Sequence, residues 1–134
     1  MPTTKADELP IQTSADVVSV RQAVRSAAME QSFSLVDQTK LVTAASELAR
    51  NTLDYGGGGS VRIERVLDGA RKGVRLVFKD QGPGIADIDL AMRDGYTSGG
   101  GLGLGLGGAK RLVSEFHIDS APGKGTTITI TRWR

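Results

Sequence analysis

The chain has 134 residues, which suits one domain, and its net charge of +2 is too small to indicate a nucleic-acid partner. It contains no cysteine and one histidine, which excludes disulfides, thiol catalysis and histidine-rich metal sites. No apolar run approaches the roughly 20 residues that span a bilayer, and the first ten residues lack an apolar signal region. We therefore expect a cytoplasmic protein with no membrane partner.

The first part of the chain predicts a short strand and two amphipathic helices. Leu9–Gln12 has the strand pattern. One helix is predicted from Ser14 and a second from Ser34, because apolar residues recur there at intervals of three and four. Asp37 follows Ser34 by three residues, which resembles a capping box. Four consecutive glycines at 56–59 end the second helix.

Two hairpins and a third helix are predicted in the second half. Ser60–Leu67 and Gly73–Asp80 alternate apolar and polar residues around a glycine-containing turn, which is typical of a hairpin. The third helix is expected from about Leu102 to Glu115. A closing hairpin is expected from Phe116–Ser120 and Thr126–Trp133.

The order of these elements indicates the fold class. Residues 81–101 are loop-like, with room for one helical turn at Ile88–Arg93. The hairpins predict a mixed, mostly antiparallel sheet, and three amphipathic helices can cover one of its faces. We therefore expect residues 1–134 to form a single α/β domain, a two-layer sandwich with about three helices on one face.

A glycine-rich segment, residues 99–108, runs directly into the third predicted helix. Glycine lets backbone amides approach a ligand, and a helix N-terminus favours an anion, so the segment favours phosphate binding over a flexible linker. It lacks the Gly-Lys-Ser/Thr of a Walker loop, and no strand precedes it as in a Rossmann fingerprint. The neighbouring stretch Gly95–Gly101 has few apolar anchors, which predicts a mobile lid ordered by a γ-phosphate.

Two polar residues are predicted to face the core at strand ends. The period of two places Asp80 on the same side as Phe78, and Thr126 on the same side as Ile128. A carboxylate at the mouth of an apolar pocket needs a donor, and the exocyclic amine of a base would serve. The alternatives are an ordinary glycine turn after Asp80 and a routine threonine of high β-propensity at 126.

Glu47 and Asn51 lie four residues apart on the second predicted helix, with Arg50 and Asp54, opposite the leucine stripe. An exposed polar helix face would explain this pattern. A carboxylate and an amide on one face could instead hold a hydrated Mg²⁺ and orient a nucleophile, because Mg²⁺ prefers oxygen ligands and retains waters.

Four segments in this order resemble the ATP-binding domain shared by gyrase, Hsp90, histidine kinases and MutL, the GHKL family. Glu47–Asn51 resembles its N box, Asp80–Ile85 its first glycine box, Gly101–Leu106 its second, and Gly125-Thr126 its last motif. The resemblance implies ATP with Mg²⁺, with Asn51 on the metal and Asp80 on the adenine amine. The other residues that it implies around the nucleotide are Gly82, Gly84, Ile85, Gly101, Leu102, Gly103, Leu104, Gly105 and Thr126.

Within this family the chain is most similar to the stand-alone switch kinases of bacterial stressosome and partner-switching pathways. That resemblance implies a serine/threonine protein kinase in which Glu47 receives or orients the hydroxyl proton of the substrate. The implied partners are STAS-domain antagonist and scaffold proteins and a PP2C-type phosphatase regulator. Arg50, Arg93 and Lys110 are the candidates to meet the γ-phosphate.

Two alternatives share these motifs. One is an anti-sigma factor kinase that sequesters a sigma factor, and the other is a non-catalytic switch that uses ATP only to fix its shape. Asp54-Tyr55-Gly56 favours the switch kinase, because anti-sigma kinases commonly have a histidine there. The presence of Glu47 favours catalysis over a purely structural use of ATP.

Overall fold

In the part of the chain that the structure describes, a five-stranded antiparallel sheet forms one layer, and three helices of seven residues or more cover one of its faces. The computed structural model describes residues 3–85, 88, 92 and 105–134. The elements in chain order are β1 (Thr3–Ile11), α1 (Ser14–Glu30), α2 (Leu35–Asp54), β2 (Gly59–Asp68), β3 (Arg71–Asp80), α3 (Gly105–Arg111), β4 (Glu115–Ser120) and β5 (Thr126–Trp133). The strands lie in the order β1-β2-β3-β5-β4. The predicted two-layer α/β fold is confirmed.

The long helices begin at the polar residues that the sequence indicated, to within one position. Thr13 caps α1 in a capping box with Asp16, one residue before the expected start. Ser34 caps α2, and its hydroxyl accepts the backbone N–H of Asp37. These caps satisfy N–H groups that would otherwise lack a partner at each helix start.

The core lies between the sheet and the helices. From the sheet it receives the alternate residues of the three central strands, and from the helices their apolar stripes. The largest fully buried side chains include Val61, Ile63, Leu76, Phe78 and Ile130 from the sheet and Val20, Val24, Leu41 and Leu48 from the helices. Asp80 and Thr126 continue the same inward alternation at the ends of β3 and β5.

Two predicted boundaries were wrong. β1 spans Thr3–Ile11, whereas Leu9–Gln12 was expected, because its backbone pairs with β2 although most of its side chains are exposed. An edge strand of this kind carries little hydrophobic pattern. α3 ends at Arg111 rather than near Glu115, because Glu115 already pairs with Thr131 as the first residue of β4.

The other face of the sheet carries polar side chains and one large aromatic ring. Trp133 lies over Gly73, where a Cβ atom would collide with the indole, and the guanidinium of Arg71 stacks 4.6 Å from its ring centroid. Within the described ranges, no helix is long and apolar enough to cross a membrane.

Candidate active site

Asp80, the last residue of β3, is the buried carboxylate of the site. Its side chain accepts the N–H of Gly82 at 2.9 Å, and the residue is 7% exposed. Burial raises the pKa of Asp80 above its usual value, and the backbone N–H groups of Gly82 and Thr126 oppose that rise. The predicted inward position of Asp80 is confirmed.

Glycines shape the space around this carboxylate. Gly56, just after α2, approaches so closely that a Cβ atom there would collide with the Asp80 carboxyl group. A Cβ atom on Gly82 would lie 2.7 Å from the Cα of Gly56. Gly84 has φ +78°, and its Cβ would collide with the carbonyl of Ala121. Glycine at 56 and 82 therefore lets the end of α2 pack against Asp80 and the turn after β3, and glycine at 84 lets that turn pack against the β4–β5 hairpin.

The turn that contains Gly82, Gly84 and Ile85 is held from both sides. On one side, the hydroxyl of Tyr55 donates to the carbonyl oxygen of Gly84 at 3.0 Å. On the other, Ser120 Oγ accepts the N–H of Ile85 at 2.8 Å, and the N–H of Gly123 donates to the carbonyl of Pro83 at 2.7 Å. These bonds fix the turn between α2 and the β4–β5 hairpin.

Thr126, the first residue of β5, stands directly opposite Asp80 in the sheet register. It is 4% exposed, and its hydroxyl lies 2.8 Å from Ser120 Oγ. The expectation that Thr126 faces the core is therefore confirmed. The structure brings Asp80, Thr126 and the glycine turn together, and this group of residues is the pocket wall of the candidate site.

Glu47 lies in the interior, not on an exposed helix face. The side chain is 4% exposed, and its Oε1 accepts the N–H of Gly105 at 3.2 Å. α3 packs on α2 at this point and covers the carboxylate, which the helical pattern of α2 alone could not show. The polar-face interpretation is therefore wrong for Glu47, and the residue joins α2 to the start of α3.

Asn51 lies one helical turn after Glu47 and is half-buried. Its backbone carbonyl accepts the N–H groups of Tyr55 and Gly56, where α2 ends and the four glycines begin. These bonds do not involve the side-chain amide. Arg50, the neighbouring residue, donates to Asp54 and to Ser14. Within the described part of the chain, no three His, Cys, Asp or Glu side chains cluster as a metal site. An amide with water and phosphate oxygens is nevertheless an ordinary donor set for Mg²⁺.

Part of the predicted site lies outside the described residues. This applies to Gly101, Leu102, Gly103 and Leu104 of the second glycine box, to the expected lid Gly95–Gly101, and to Arg93. Gly105, the last predicted member of the phosphate loop, is described: it opens α3 with φ +65° and donates its N–H to Glu47.

Three contributors to the site were not identified by the sequence reasoning. Gly56 was noted as a helix terminator and, with Tyr55, as part of a family marker, and Ser120 was noted only as the end of a strand. Their roles depend on contacts between residues far apart in the sequence: 29 positions in the Tyr55–Gly84 bond, 35 in the Ser120–Ile85 bond, and 24 between Gly56 and Asp80. Local periodicity does not report contacts of that separation.

Comparison with known proteins assigns the fold and its motifs to a family. Residues 36–133, from the start of α2 to the end of β5, match the histidine kinase-, DNA gyrase B-, and HSP90-like ATPase family. The chain belongs to this family. The match spans the described N box, the first glycine box and the final threonine motif, so the predicted GHKL resemblance is confirmed.

Within the family, the chain is similar to bacterial kinases and anti-sigma factors. It is 48% identical over 123 residues to the serine/threonine-protein kinase RsbT of Bacillus subtilis, with 92% of each chain covered. It is 32% identical to an anti-sigma F factor of Bacillus licheniformis, over 70% of this chain and 68% of that protein. The near-full-length kinase match confirms the predicted serine/threonine protein kinase.

Solved structures of other family members share the fold. The RsbU and RsbW domains of Rv1364c from Mycobacterium tuberculosis superpose with a TM-score of 0.66 at 24% identity, covering 98% of this chain. The present chain spans about a third of that one, at 33%. The mycobacterial sensor histidine kinase MprB superposes with a TM-score of 0.56 at 20% identity, covering 96% and 97% of the two chains.

The pocket residues fit the ATP that this family uses. Asp80 is a buried acceptor held by backbone N–H groups, which suits the amine of adenine. Gly56 and Gly82 let the end of α2 and the turn after β3 pack directly against each other and against that carboxylate. The buried acceptor therefore agrees with an adenine nucleotide.

Proposed function

We propose that this kinase phosphorylates a serine or threonine of STAS-domain antagonist and scaffold proteins in a bacterial stress-response partner-switching pathway. The observation that carries the proposal is the 48% identity to a serine/threonine-protein kinase of the RsbT type over nearly the whole chain. The covered Glu47 supports it, because a buried carboxylate contacting the start of α3 is placed for chemistry rather than for solubility. A PP2C-type phosphatase regulator is the further partner that we propose.

The chain's own residues would divide the work as follows. ATP supplies the γ-phosphoryl group, and Asn51 would hold its Mg²⁺. Asp80 and Thr126 would orient the adenine. The Glu47 carboxylate, buried next to the start of α3, would take the proton of the substrate hydroxyl. Positioning and charge stabilisation carry most of phosphoryl transfer, so the rigid turn at 81–85 matters as much as the base.

A second candidate function is that of an anti-sigma factor kinase. Its support is the identity of about a third to anti-sigma F factors, 32% over 101 residues in one example. That candidate predicts stable capture of a sigma factor, which a switch kinase does not require. A non-catalytic switch would bind its partner in the presence of ATP and transfer nothing.

One experiment separates the three. Purified protein is incubated with labelled ATP, Mg²⁺ and a candidate STAS-domain protein, and complexes with the STAS protein and with sigma factors are measured in parallel. Label on a STAS serine or threonine without sigma capture supports the proposal. Sigma capture in the same mixture favours the anti-sigma kinase, and partner binding without label favours the non-catalytic switch.

A further inference from the structure

We infer that Ser120 is a positioning residue for nucleotide selection, because its hydroxyl sets the hydrogen-bond polarity of Thr126 in the pocket wall. The inference rests on the proposed placement of the adenine amine beside Asp80. It concerns a residue at the end of β4 that the motif comparison above does not use.

The Ser120 hydroxyl joins three separate pieces of backbone and side chain. Its oxygen accepts the N–H of Ile85 at 2.8 Å. The hydroxyl donates to the carbonyl oxygen of Gly125 at 2.9 Å, and it lies 2.8 Å from Thr126 Oγ1. A serine hydroxyl has a single proton, and a carbonyl oxygen can only accept. The Ser120 proton is therefore committed to Gly125.

The polarity of Thr126 follows from this commitment. Because Ser120 has no second proton, the hydrogen bond between the two hydroxyls needs the proton of Thr126. Thr126 then presents only lone pairs to its other neighbours. It stands opposite Asp80 on the same face of the sheet, and both residues are buried. The Asp80 carboxylate and the Thr126 hydroxyl therefore offer only hydrogen-bond acceptors at this part of the pocket wall.

An acceptor-only wall selects a purine by the group at its edge. The amine of adenine can donate to such a wall. The carbonyl oxygen that replaces the amine in hypoxanthine or guanine would place lone pairs against lone pairs and leave a buried acceptor unsatisfied. If the proton of Thr126 were released from Ser120, the threonine could rotate and donate to that carbonyl. Ser120 therefore acts on selection through Thr126.

The bond from Ile85 has a different and separable effect. Loss of the Ser120 hydroxyl also removes the hydrogen bond that holds the turn at 81–85 on one side. This loss should weaken the binding of adenine and hypoxanthine nucleotides equally. The ratio of two dissociation constants removes this shared loss. In the nucleotide-free protein, hydrogen exchange at the Ile85 amide reports the same bond directly.

The experiment compares ATP with inosine triphosphate, which carries a carbonyl in place of the amine. Calorimetry on the full chain gives both dissociation constants for wild type, Ser120→Ala and Ser120→Thr. Ser114→Ala is the matched control. Ser114 directly precedes β4, at the end opposite Ser120, and its Oγ also accepts a backbone N–H, that of Trp133. Ser120→Cys serves if the alanine variant fails to fold, since a thiol is a weak hydrogen-bond partner.

We expect Ser120→Ala to lower the ratio of the inosine triphosphate to the ATP dissociation constant by about 5- to 20-fold, which lies in the lower part of the range for one buried unsatisfied polar group. Ser120→Thr should restore the ratio, Ser114→Ala should leave it unchanged, and Ile85 exchange should accelerate only in the alanine and cysteine variants. In a Thr126→Val background, the Ser120 change should no longer move the ratio.

An unchanged ratio in both Ser120→Ala and Ser120→Cys would overturn the inference. So would a change that persists in the Thr126→Val background, because Ser120 would then act by another route. An Asp80→Asn variant with wild-type ATP affinity would instead refute the adenine placement, and with it any selection at this wall. An unexpected ratio in the Ser120 variants therefore counts against the inference about Ser120, whereas an unexpected ATP dissociation constant in Asp80→Asn counts against the proposed adenine site.

Discussion

Replacing Glu47 by glutamine separates the chemistry of this side chain from its structural contact. Glutamine keeps an oxygen that can accept the Gly105 N–H, now 3.2 Å from Oε1, but it cannot take a proton from a substrate hydroxyl. We expect phosphoryl transfer to fall by about 10²–10⁴, the usual contribution of a positioned base. ATP affinity should stay within a few-fold of wild type, and the STAS partner should still be captured.

Replacing Glu47 by alanine adds a stability cost to the same loss. The Gly105 N–H then lies buried without its acceptor, which costs about 1–3 kcal/mol. For a domain of this size, each 1 kcal/mol lowers Tm by about 4 °C, so Glu47→Ala should melt about 4–12 °C below wild type. Glu47→Gln should melt much closer to wild type, because it retains the bond.

The assay is single-turnover transfer from labelled ATP to the STAS protein, with calorimetric ATP affinity and thermal melting on the same preparations. Glu8→Gln, the same chemical change at an exposed position in β1, is the matched control and should alter none of the three. Wild-type transfer by Glu47→Gln would refute the role as base. A loss of ATP binding in proportion to the loss of phosphoryl transfer would instead indicate that Glu47 belongs to the metal site.

Three further outcomes follow from the same pocket. Asp80→Asn should nearly abolish ATP binding, because an amide NH₂ turned toward an amine repels it; wild-type affinity by calorimetry would remove Asp80 from the site. The raised pKa of Asp80 destabilises the charged, folded state, so apo wild type should lose stability relative to Asp80→Asn as pH rises above about 4; melting curves with a constant difference between pH 3 and 7 would contradict this. Asn51→Ala should weaken ATP binding in Mg²⁺ but not in EDTA, and an unchanged Mg²⁺ titration would oppose its role as a ligand.

Much of this fold could be predicted from local pattern. The alternation in β2 and β3 and the apolar stripes of the helices determine which faces meet, and the same parity correctly placed Asp80 and Thr126 inward. β1 was underestimated because an edge strand is defined by backbone pairing with β2, and its exposed side chains carry no clear alternation.

The site was less predictable than the fold because its decisive contacts join distant segments. Glu47 has the spacing of a polar helix face, yet it is buried where the start of α3 packs onto α2. In the sequence Gly56 has only the role of ending α2, whereas in the structure a Cβ atom at this position would collide with the Asp80 carboxyl group. Helical and strand periodicity describe one element at a time, so neither could indicate these pairs.

The pKa shifts of Glu64, Asp37 and Asp80 distinguish the candidate site from the scaffold. Burial alone would raise the pKa of Glu64, yet it is lowered, because Arg62 and Arg75 donate to its side chain. The pKa of Asp37 is likewise lowered, in this case mainly by the hydrogen bond from Arg132. Such pairs join strands and helices and leave each charge neutralised.

Asp80 is arranged in the opposite way. Its pKa is raised, and the groups that oppose the rise are two backbone N–H donors, which carry no net charge. A guanidinium beside Asp80 would neutralise the carboxylate and compete with an incoming amine for its lone pairs. Backbone donors hold the carboxylate in place and leave acceptor positions unused, at a cost in stability of the nucleotide-free fold. A bound amine would offset that cost, so the carboxylate whose pKa is raised by burial is the one that we propose to recognise adenine.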